Sequence, residues 1–329
     1  MQINQHARLS TAPMMDWTDR HCRAFHRVLT RRTLLYTEMV TAAALVRGGA
    51  EHLLDFDASE DPVALQLGGS DPAELGRATA MGVARGYAEV NLNVGCPSDR
   101  VQSGCFGAVL MERPDLVERC LSAMTAAAGG VPVTMKCRIG VDDQDPEVVL
   151  PDLLARMADA GIGQVTVHAR KAWLQGLSPK ENRDIPPLDY DLVHAIKRQF
   201  PGLSIAINGG IASLDAALEH LSHVDGVMIG RVAYHDPAAV LLRADSRVFG
   251  ADDPCPDREA AALRMVPHIE RHLAAGGKLG QVTRHMLGLF AGMPGARAWR
   301  RSLSEGASRP GAGIDTLLDA LSHVRQVAA

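Results

Sequence analysis

Along the first 249 residues, short apolar runs alternate with stretches whose apolar positions recur at helical spacing. Eight runs of four to seven residues are rich in Val, Ile, Leu or Thr, and they are too short for helices, which predicts β-strands. The runs are Leu9–Met14, Leu34–Met39, Val63–Leu67, Ala88–Val94, Val131–Cys137, Gln164–His168, Leu203–Asn208 and Val224–Ile229. Helices are predicted over Ala73–Arg85, Asp115–Ala128, Pro146–Ala160 and Ser213–Leu221.

Strands that alternate with helices indicate an α/β protein with a parallel sheet, because parallel neighbours need crossover connections. Eight such units in about 245 residues are typical of a (β/α)8 TIM barrel. A doubly wound open sheet is the alternative. That fold usually carries a GxGxxG turn after an early strand, and this sequence has none.

The pattern changes after Phe249. Residues 250–256 contain Gly, Asp and Pro and are predicted to form a linker. Residues 257–329 show no strand pattern and are predicted to form a small helical bundle. Its helical runs are Arg258–Ala274, Leu279–Leu289, Ala296–Leu303 and Ile314–Val327. The predicted domains are therefore a barrel over 1–249 and a helical domain over 257–329.

Composition and charge narrow the class of protein. The chain has 329 residues, of which 47% are hydrophobic and 22% charged, so a large core is available and disorder is excluded. The net charge of −4 excludes a uniformly basic protein. Residues 260–329, however, hold nine Lys and Arg against four Asp and Glu. This local excess indicates a polyanion partner, although an ordinary solvated helical face explains the charge equally well.

The cysteines indicate a reducing compartment. Six are scattered along the chain, without C-x-x-C pairs or zinc-ligand spacing, so we expect reduced thiols, no metal site and a cytoplasmic location. Residues 1–9 lack the apolar run of a signal peptide, and no apolar stretch is long enough to cross a membrane. Nothing in the sequence implies a membrane or a protein partner.

Polar or reactive residues follow nearly every predicted strand, where barrels carry their active sites and core packing needs none. Ordered along the chain, these are Ala12-Pro13-Met14, Gln66, Asn91, Asn93, Cys96, Lys136, Arg138, His168, Arg170, Asn208-Gly209-Gly210 and Gly230-Arg231.

Two glycine turns predict a phosphate site. Asn208-Gly209-Gly210 leads into the helix predicted from Ser213, and Gly230-Arg231 follows the eighth strand. Glycines let backbone amides approach an anion, and the loops after strands seven and eight bind phosphate in many barrels. Tight turns without a ligand are the alternative. The pattern does not distinguish flavin mononucleotide (FMN) from a sugar phosphate.

Lys136 and Arg138 share one strand face, so two cations point into the barrel mouth and require an anionic or polar ligand. Lys136 is placed to stabilise negative charge on a reduced isoalloxazine ring. His168 is placed to donate to the same ring or to a substrate carbonyl; a hydrogen-bonded core histidine is the alternative.

A Gly-Cys-Pro turn is predicted to present the Cys96 thiol at the mouth. An ordinary thiol is mostly protonated at neutral pH, which favours a general acid over a nucleophile. Cys105, in a polar loop close by, is the natural control. The remaining cysteines are interpreted as packing residues: Cys22, Cys120, Cys137 and Cys255.

Taken together, these motifs resemble those of the dihydrouridine synthases, flavoenzymes that reduce uridine in tRNA. Residues 91–99, NLNVGCPSD, resemble the family's catalytic loop, and residues 168–190, HARKAWLQGLSPKENRDIPPLDY, look like the DusA subfamily. Further similar segments are APMMDWTDRHCR from Ala12, YTEMV, ALQLGG, KCRIG, NGGI, MIGR and HMLGLFAGMPGARAWRR from His285. The resemblance covers nearly the whole chain. One soft departure is Val232, where an acidic residue is expected.

The resemblance implies a reaction and a set of roles. NADPH would reduce FMN, hydride would pass from flavin N5 to uracil C6, and Cys96 would protonate C5 of a uridine at D-loop positions 20 and 20a. Asn93 would contact the target uridine. The implied FMN site comprises Ala12, Pro13, Met14, Gln66, Lys136, His168, Asn208, Gly209, Gly210, Gly230 and Arg231. The residues assigned to tRNA besides Asn93 are Arg138, Arg170, Lys180, Arg183, Arg297 and Arg300.

Three alternatives remain open. A barrel flavoenzyme of the dihydropyrimidine dehydrogenase type shares the phosphate site and the lysine but leaves the basic helical tail unexplained. A non-catalytic tRNA-binding protein leaves Cys96, Lys136 and His168 unexplained. A flavin-free sugar-phosphate isomerase accounts for the glycines but not for residues 168–190.

Overall fold

The computed structural model describes residues 4–98, 101–102 and 104–325. Eight parallel strands form one sheet in the order β1-β8-β7-β6-β5-β4-β3-β2. A parallel bridge between Ser10 and Leu34 brings β1 next to β2 and closes the barrel. The strands are β1 Leu9–Thr11, β2 Leu35–Thr41, β3 Val63–Gly68, β4 Glu89–Val94, β5 Val133–Arg138, β6 Gln164–His168, β7 Ser204–Asn208 and β8 Gly226–Ile229. The predicted (β/α)8 barrel is confirmed, and each of the eight apolar runs overlaps one strand.

Helices cover the outside of the sheet, and their first turns show why they begin where they do. The side chain of Asp71 caps α3 and that of Asp145 caps α5, and a proline opens each of these helices. The barrel helices are α1 Arg20–Leu29, α2 Ala42–Val46, α3 Pro72–Ala84, α4 Pro114–Ala127, α5 Pro146–Asp159, α6 Tyr190–Gln199 and α7 Leu214–His220. Short 3-10 helices span Gln5–Arg8, Glu51–Leu54, Ala58–Glu60, Gly107–Glu112 and Glu181–Arg183. The sequence pattern did not predict α1, α2 or α6.

The apolar core has two parts. The larger part fills the space between strands and helices and continues without a break into the C-terminal helices. A small second cluster lies inside the barrel around Tyr36, Ala64 and Met228. The rest of the barrel interior is occupied by buried polar side chains of β3, β4 and β5, which connect the apolar floor to the mouth.

Beyond β8 the described part of the chain consists of helices joined by turns and bends. The helices are α8 Arg231–His235, α9 Pro237–Leu241, α10 Ala244–Phe249, α11 Arg258–Arg264, α12 Val266–Ala274, α13 Leu279–Thr283, α14 Ala296–Gly306 and α15 Ile314–Arg325. None of the helices in the described ranges is long and apolar enough to span a membrane.

Two helical predictions in this region were wrong in extent. The single run predicted over Arg258–Ala274 breaks at Met265, because Pro267 has no N–H to donate and its ring clashes with the preceding turn. The run predicted over Leu279–Leu289 ends as a helix at Thr283. The following turns pack backbone against backbone, since a Cβ on Gly288 would lie 2.3 Å from the carbonyl oxygen of His235.

The C-terminal helices rest on α1 and on the mouth-side helix α8. The carboxylate of Asp19, which caps α1, accepts from Arg284 at 2.5 Å and lies 3.0 Å from Nε2 of His285. Although burial opposes the shift, the contacts with His285 hold the pKa of Asp19 well below its usual range. The segment predicted as a linker is anchored to α10 by Arg243, which donates to the carbonyl of Pro256 at 2.6 Å. The division at residues 250–256 stays a prediction.

Candidate active site at the mouth of the barrel

Neighbouring strands bring the predicted site residues to one end of the barrel in register. Asn93 of β4 pairs with Lys136 of β5. His168 of β6 pairs with Arg138 on one side and with Asn208 of β7 on the other. Because the carboxyl ends of all eight strands meet at this mouth, side chains far apart in the sequence line one cavity.

The Cys96 turn is fixed by Asn93. The side-chain oxygen of Asn93 accepts from the backbone N–H of Gly95 at 3.1 Å and of Cys96 at 3.0 Å. The carbonyl of Cys96 accepts from Ala108 at 2.9 Å. The half-buried thiol donates to the Ser98 hydroxyl at 3.6 Å. The turn therefore presents the sulfur atom at the mouth. Asp99, which ends the predicted catalytic loop, lies outside the described residues.

Arg138 holds the walls of the mouth together. Its buried guanidinium donates to the carbonyl of Gly95 at 3.0 Å, of Lys171 at 2.9 Å and of Asn182 at 2.8 Å. These contacts tie the Cys96 turn to the loop that follows β6. The structure thus gives Arg138 a positioning role, whereas direct contact with tRNA stays a prediction.

Positive charge accumulates at the mouth. Burial and the nearby Arg138 lower the pKa of Lys136 to about 8. Burial, followed by Arg138 and Lys136, holds the pKa of His168 well below its ordinary value, so the imidazole is neutral. Among the described residues no carboxylate pairs with Lys136. A cation in this position fits a ligand that carries or develops negative charge.

The turn after β7 leaves backbone donors free. Gly209 has a φ of 114°, and a Cβ there would lie 2.5 Å from Cδ2 of His168, so the backbone approaches the imidazole as closely as glycine permits. The hydroxyl of Tyr190 donates to the Gly209 carbonyl at 2.6 Å. Within the described ranges, the N–H groups of Gly209 and Gly210 meet no acceptor. These donors suit a phosphate group.

The first and last strands complete the rim. The N–H of Ala12 donates to the carbonyl of Ile229 at 2.8 Å, and the N–H of Met14 donates to Thr18 at 3.0 Å. Pro13 is half-buried beside them. Gly230 approaches Ala12, because a Cβ added at the glycine would lie 3.7 Å from the Cβ of Ala12.

Two of the predicted cations at the rim already have partners. Arg231 pairs with Asp184 at 2.6 Å. Arg170 donates to the carbonyl of Pro186, while its buried Nε has no hydrogen-bond partner among the described residues.

The remaining predicted tRNA contacts are surface residues. Lys180 and Arg183 are exposed on the loop after β6. Arg297 and Arg300 are exposed on α14, whose opposite face buries Trp299. Arg297 also lines a surface cavity of about 390 Å³ with Met293 and others. The structure therefore leaves all four cations accessible to a macromolecule, but only the first two belong to the barrel.

Two functional supports were missed from the sequence. Asn182 is fully buried, and its side chain holds both the N–H and the carbonyl of Trp173. Tyr190 anchors Gly209, as described above. The only signal available was their position inside the segment 168–190, because neither residue follows a strand directly.

Similarity to known proteins extends over nearly the whole chain. The family model described as dihydrouridine synthase (Dus) matches residues 10–325. The tRNA-dihydrouridine(20/20a) synthase of Vibrio cholerae is 55% identical over 318 residues, covering 96% of either chain. The protein of that name from Escherichia coli K12 is 54% identical over 323 residues, covering 98% of this chain and 93% of the relative.

Among solved structures, morphinone reductase superposes with a TM-score of 0.51 at 13% sequence identity, covering 79% of this chain and 91% of the reductase. At that identity the likeness concerns the fold, and it agrees with the barrel topology.

Proposed function

The chain belongs to the dihydrouridine synthase family, and from this premise we propose that it reduces uridine to 5,6-dihydrouridine at positions 20 and 20a of the tRNA D-loop. The proposal is supported by relatives named for this activity, with which the chain shares more than half of its residues over nearly its full length. The observation that carries it is the meeting, at one barrel mouth, of the Cys96 thiol, a histidine, and a lysine that pairs with no carboxylate among the described residues.

We propose FMN as the resident cofactor and NADPH as the reductant. The fit is supported by Lys136 and by the amides of the Gly209-Gly210 turn, which meet no carboxylate and no acceptor, respectively, in the part of the chain that the structure describes. The residues proposed to hold the flavin are Ala12, Pro13, Met14, Gln66, Lys136, His168, Asn208, Gly209, Gly210, Gly230 and Arg231. When bound, FMN supplies the hydride that is added to C6 of uracil.

The chain's own residues supply the other half of the reduction. Cys96 gives its thiol proton to C5, so the C5–C6 double bond gains one hydride and one proton and becomes single. Asn93 holds the Cys96 backbone and contacts the uridine. The neutral His168 is able to donate one N–H hydrogen bond while accepting on its other ring nitrogen.

The substrate must present an extrahelical base. A uridine inside a stack cannot reach a barrel mouth, whereas a D-loop base is unpaired and flips out at low cost. The exposed cations Lys180, Arg183, Arg297 and Arg300 are proposed to bind the tRNA backbone, with residues 257–329 acting as the RNA-binding domain. We also propose a cytoplasmic location for the protein, since its proposed substrate is tRNA.

The experiment combines purified protein, NADPH and unmodified tRNA. The RNA is digested, and mass spectrometry detects uridine that has gained two hydrogens and maps its position. Dihydrouridine at positions 20 and 20a is the expected result. A yellow protein that oxidises NADPH without forming dihydrouridine would instead favour a small-molecule flavoenzyme. A colourless protein that FMN cannot reconstitute would refute the flavin assignment.

A further inference from the structure

A chain of hydrogen bonds runs through the barrel interior from the mouth to the floor. The amide nitrogen of Asn93 donates to Gln66 at 2.8 Å, and that of Gln66 donates to Asn91 at 2.9 Å. The amide nitrogen of Asn91 then donates to the Thr134 hydroxyl at 2.8 Å. The Thr134 hydroxyl donates to the carboxyl group of Glu89 at 2.6 Å. All five side chains are buried.

The donor-to-acceptor direction of this chain of hydrogen bonds is fixed at the mouth. A backbone N–H can only donate, so the side-chain oxygen of Asn93 must face Gly95 and Cys96. The Asn93 nitrogen must then face the oxygen of Gln66, and the same constraint passes along every amide. It ends at the Thr134 hydroxyl, which accepts from Asn91 and in turn lies within donating distance of Glu89.

The direction is also set at the floor. The side-chain oxygen of Asn4 accepts from the backbone N–H of His6 at 3.0 Å, so its nitrogen must face Glu89, 3.0 Å away. The Tyr36 hydroxyl donates to Glu89 at 2.5 Å, beside the Thr134 hydroxyl, which donates to the same carboxyl oxygen. Three donors therefore converge on one carboxyl group, and within the described ranges no basic side chain lies within ion-pair distance of it.

We propose that Glu89 is an ionised positioning residue, whose carboxylate orients the buried amide chain and so holds Gln66, Asn93 and the Cys96 turn in place. The carboxylate accepts from all three donors as they stand, whereas a protonated acid would require the Tyr36 or the Thr134 hydroxyl to turn its hydrogen away. Burial raises the pKa of Glu89, and the three hydrogen bonds act in the opposite direction. The consequence for catalysis rests on the proposed function, since it takes Cys96 as the acid.

Glu89→Gln tests the charge with almost no change in volume. The new amide nitrogen must face either the Asn4 nitrogen or the Thr134 hydroxyl, so one buried donor is left unpaired. We expect a melting temperature roughly 2–6 °C below that of the wild type. An unchanged melting temperature would overturn the proposal, because a protonated Glu89 would tolerate the amide.

A double variant moves the negative charge from Glu89 to the neighbouring side chain at position 4. Asn4→Asp alone would place the new carboxylate at position 4 against the carboxylate of Glu89, and it should also destabilise the protein. In Asn4→Asp with Glu89→Gln, the new carboxylate accepts from both the His6 N–H and the new amide at position 89, and the direction of the chain is restored. We expect the double variant to regain most of the lost stability. A double variant no more stable than either single variant would refute the proposal. If Glu89→Gln alone does not fold, a double variant that folds would support it.

Two further readouts separate charge and positioning from mere packing. The infrared difference spectrum between the wild type and Glu89→Gln should lack the C=O stretching band of a protonated carboxylic acid. The presence of that band would refute the ionised state of Glu89. Alkylation by iodoacetamide, followed by peptide mass spectrometry, should be several-fold faster at Cys96 in Glu89→Gln and return to the wild-type rate in the double variant. Cys105, which is exposed, is the internal control.

An unchanged Cys96 rate would overturn the positioning role. None of these measurements needs flavin or tRNA. Failure of the dihydrouridine assay would therefore refute the proposed function alone, while failure of the rescue would refute the role of Glu89 alone.

Discussion

Replacing Gly209 by alanine tests whether the close approach of backbone and imidazole forms the flavin site. The new Cβ would lie 2.5 Å from Cδ2 and 2.9 Å from Nε2 of His168. Ordinary contact begins near 3.4 Å, so the ring must retreat by about 1 Å. The backbone also has a φ of 114°, which an L-residue adopts only at a cost of about 1–3 kcal/mol.

The matched control separates strain from displacement. Gly86 has a φ of 89°, and a Cβ there would meet nothing within 4 Å. Both Gly209→Ala and Gly86→Ala should therefore lose about 1–3 kcal/mol of unfolding free energy, measured by denaturant titration. Only Gly209→Ala should also move His168.

The assay is flavin binding, followed by quenching of FMN fluorescence. A displacement of about 1 Å at a positioning group costs up to roughly 100-fold. We expect FMN affinity to fall by about 10- to 100-fold in Gly209→Ala and to stay at the wild-type value in Gly86→Ala. Equal affinity in the two variants would refute the assignment of His168 and the Gly209 turn to the flavin site.

Three further predictions concern the acid, the tRNA contact and a buried histidine. Cys96→Ala should retain FMN and its reduction by NADPH but form no dihydrouridine by mass spectrometry, whereas Cys105→Ala should behave as wild type; a normal yield from Cys96→Ala excludes the acid role. Arg297→Ala should weaken tRNA binding and reduce the slope of log affinity against log salt by about 0.7–0.9. Arg31→Ala, an equal charge change at the opposite end of the barrel, should leave that slope unchanged. His26 is buried with a pKa lowered to about 3, chiefly by desolvation, so the unfolded chain binds its proton more readily. The unfolding free energy should fall as pH drops from about 6.5 toward 3, by at most about 1.4 kcal/mol per pH unit from this group. In denaturant titrations, His26→Gln should make the unfolding free energy less dependent on pH over that range.

The sequence predicted the barrel because its strands are short buried runs rich in Val, Ile, Leu or Thr. A strand buried on both faces has little freedom in composition, so Val63–Leu67 and Gln164–His168 identify their elements without help from the rest of the chain. Helical bounds in the C-terminal part depend on tertiary contacts instead. In the turns that follow α13, Gly288 packs on the backbone of His235, and no local pattern encodes that contact.

The mouth was predictable for a similar reason, and the interior was not. Lys136, His168 and Asn208 lie at strand ends, and parallel strands carry their ends to one place. The partners that orient those side chains could not be predicted from the sequence. Arg138 is interpreted from the sequence as a ligand-binding cation, yet its Nε and Nη1 donate to three backbone carbonyls. Only the folded chain shows that the charge supports the loops.

The buried polar chain shows why such supports escape an interpretation based on strand ends. Glu89 stands at the start of β4, at the floor of the barrel, where a polar residue predicts stability rather than chemistry. Its influence reaches the mouth because each amide has one donor end and one acceptor end, so fixing one link fixes the next. Asn91 and Asn93 alternate along β4 and so share its inward face with Glu89. A strand that places three polar side chains inside a barrel must connect them to one another or leave them unsatisfied. The inward alternation of acid, amide and amide just before a reactive turn is therefore a signal of positioning, and the charge-relocation variant measures how much of the Cys96 geometry depends on it.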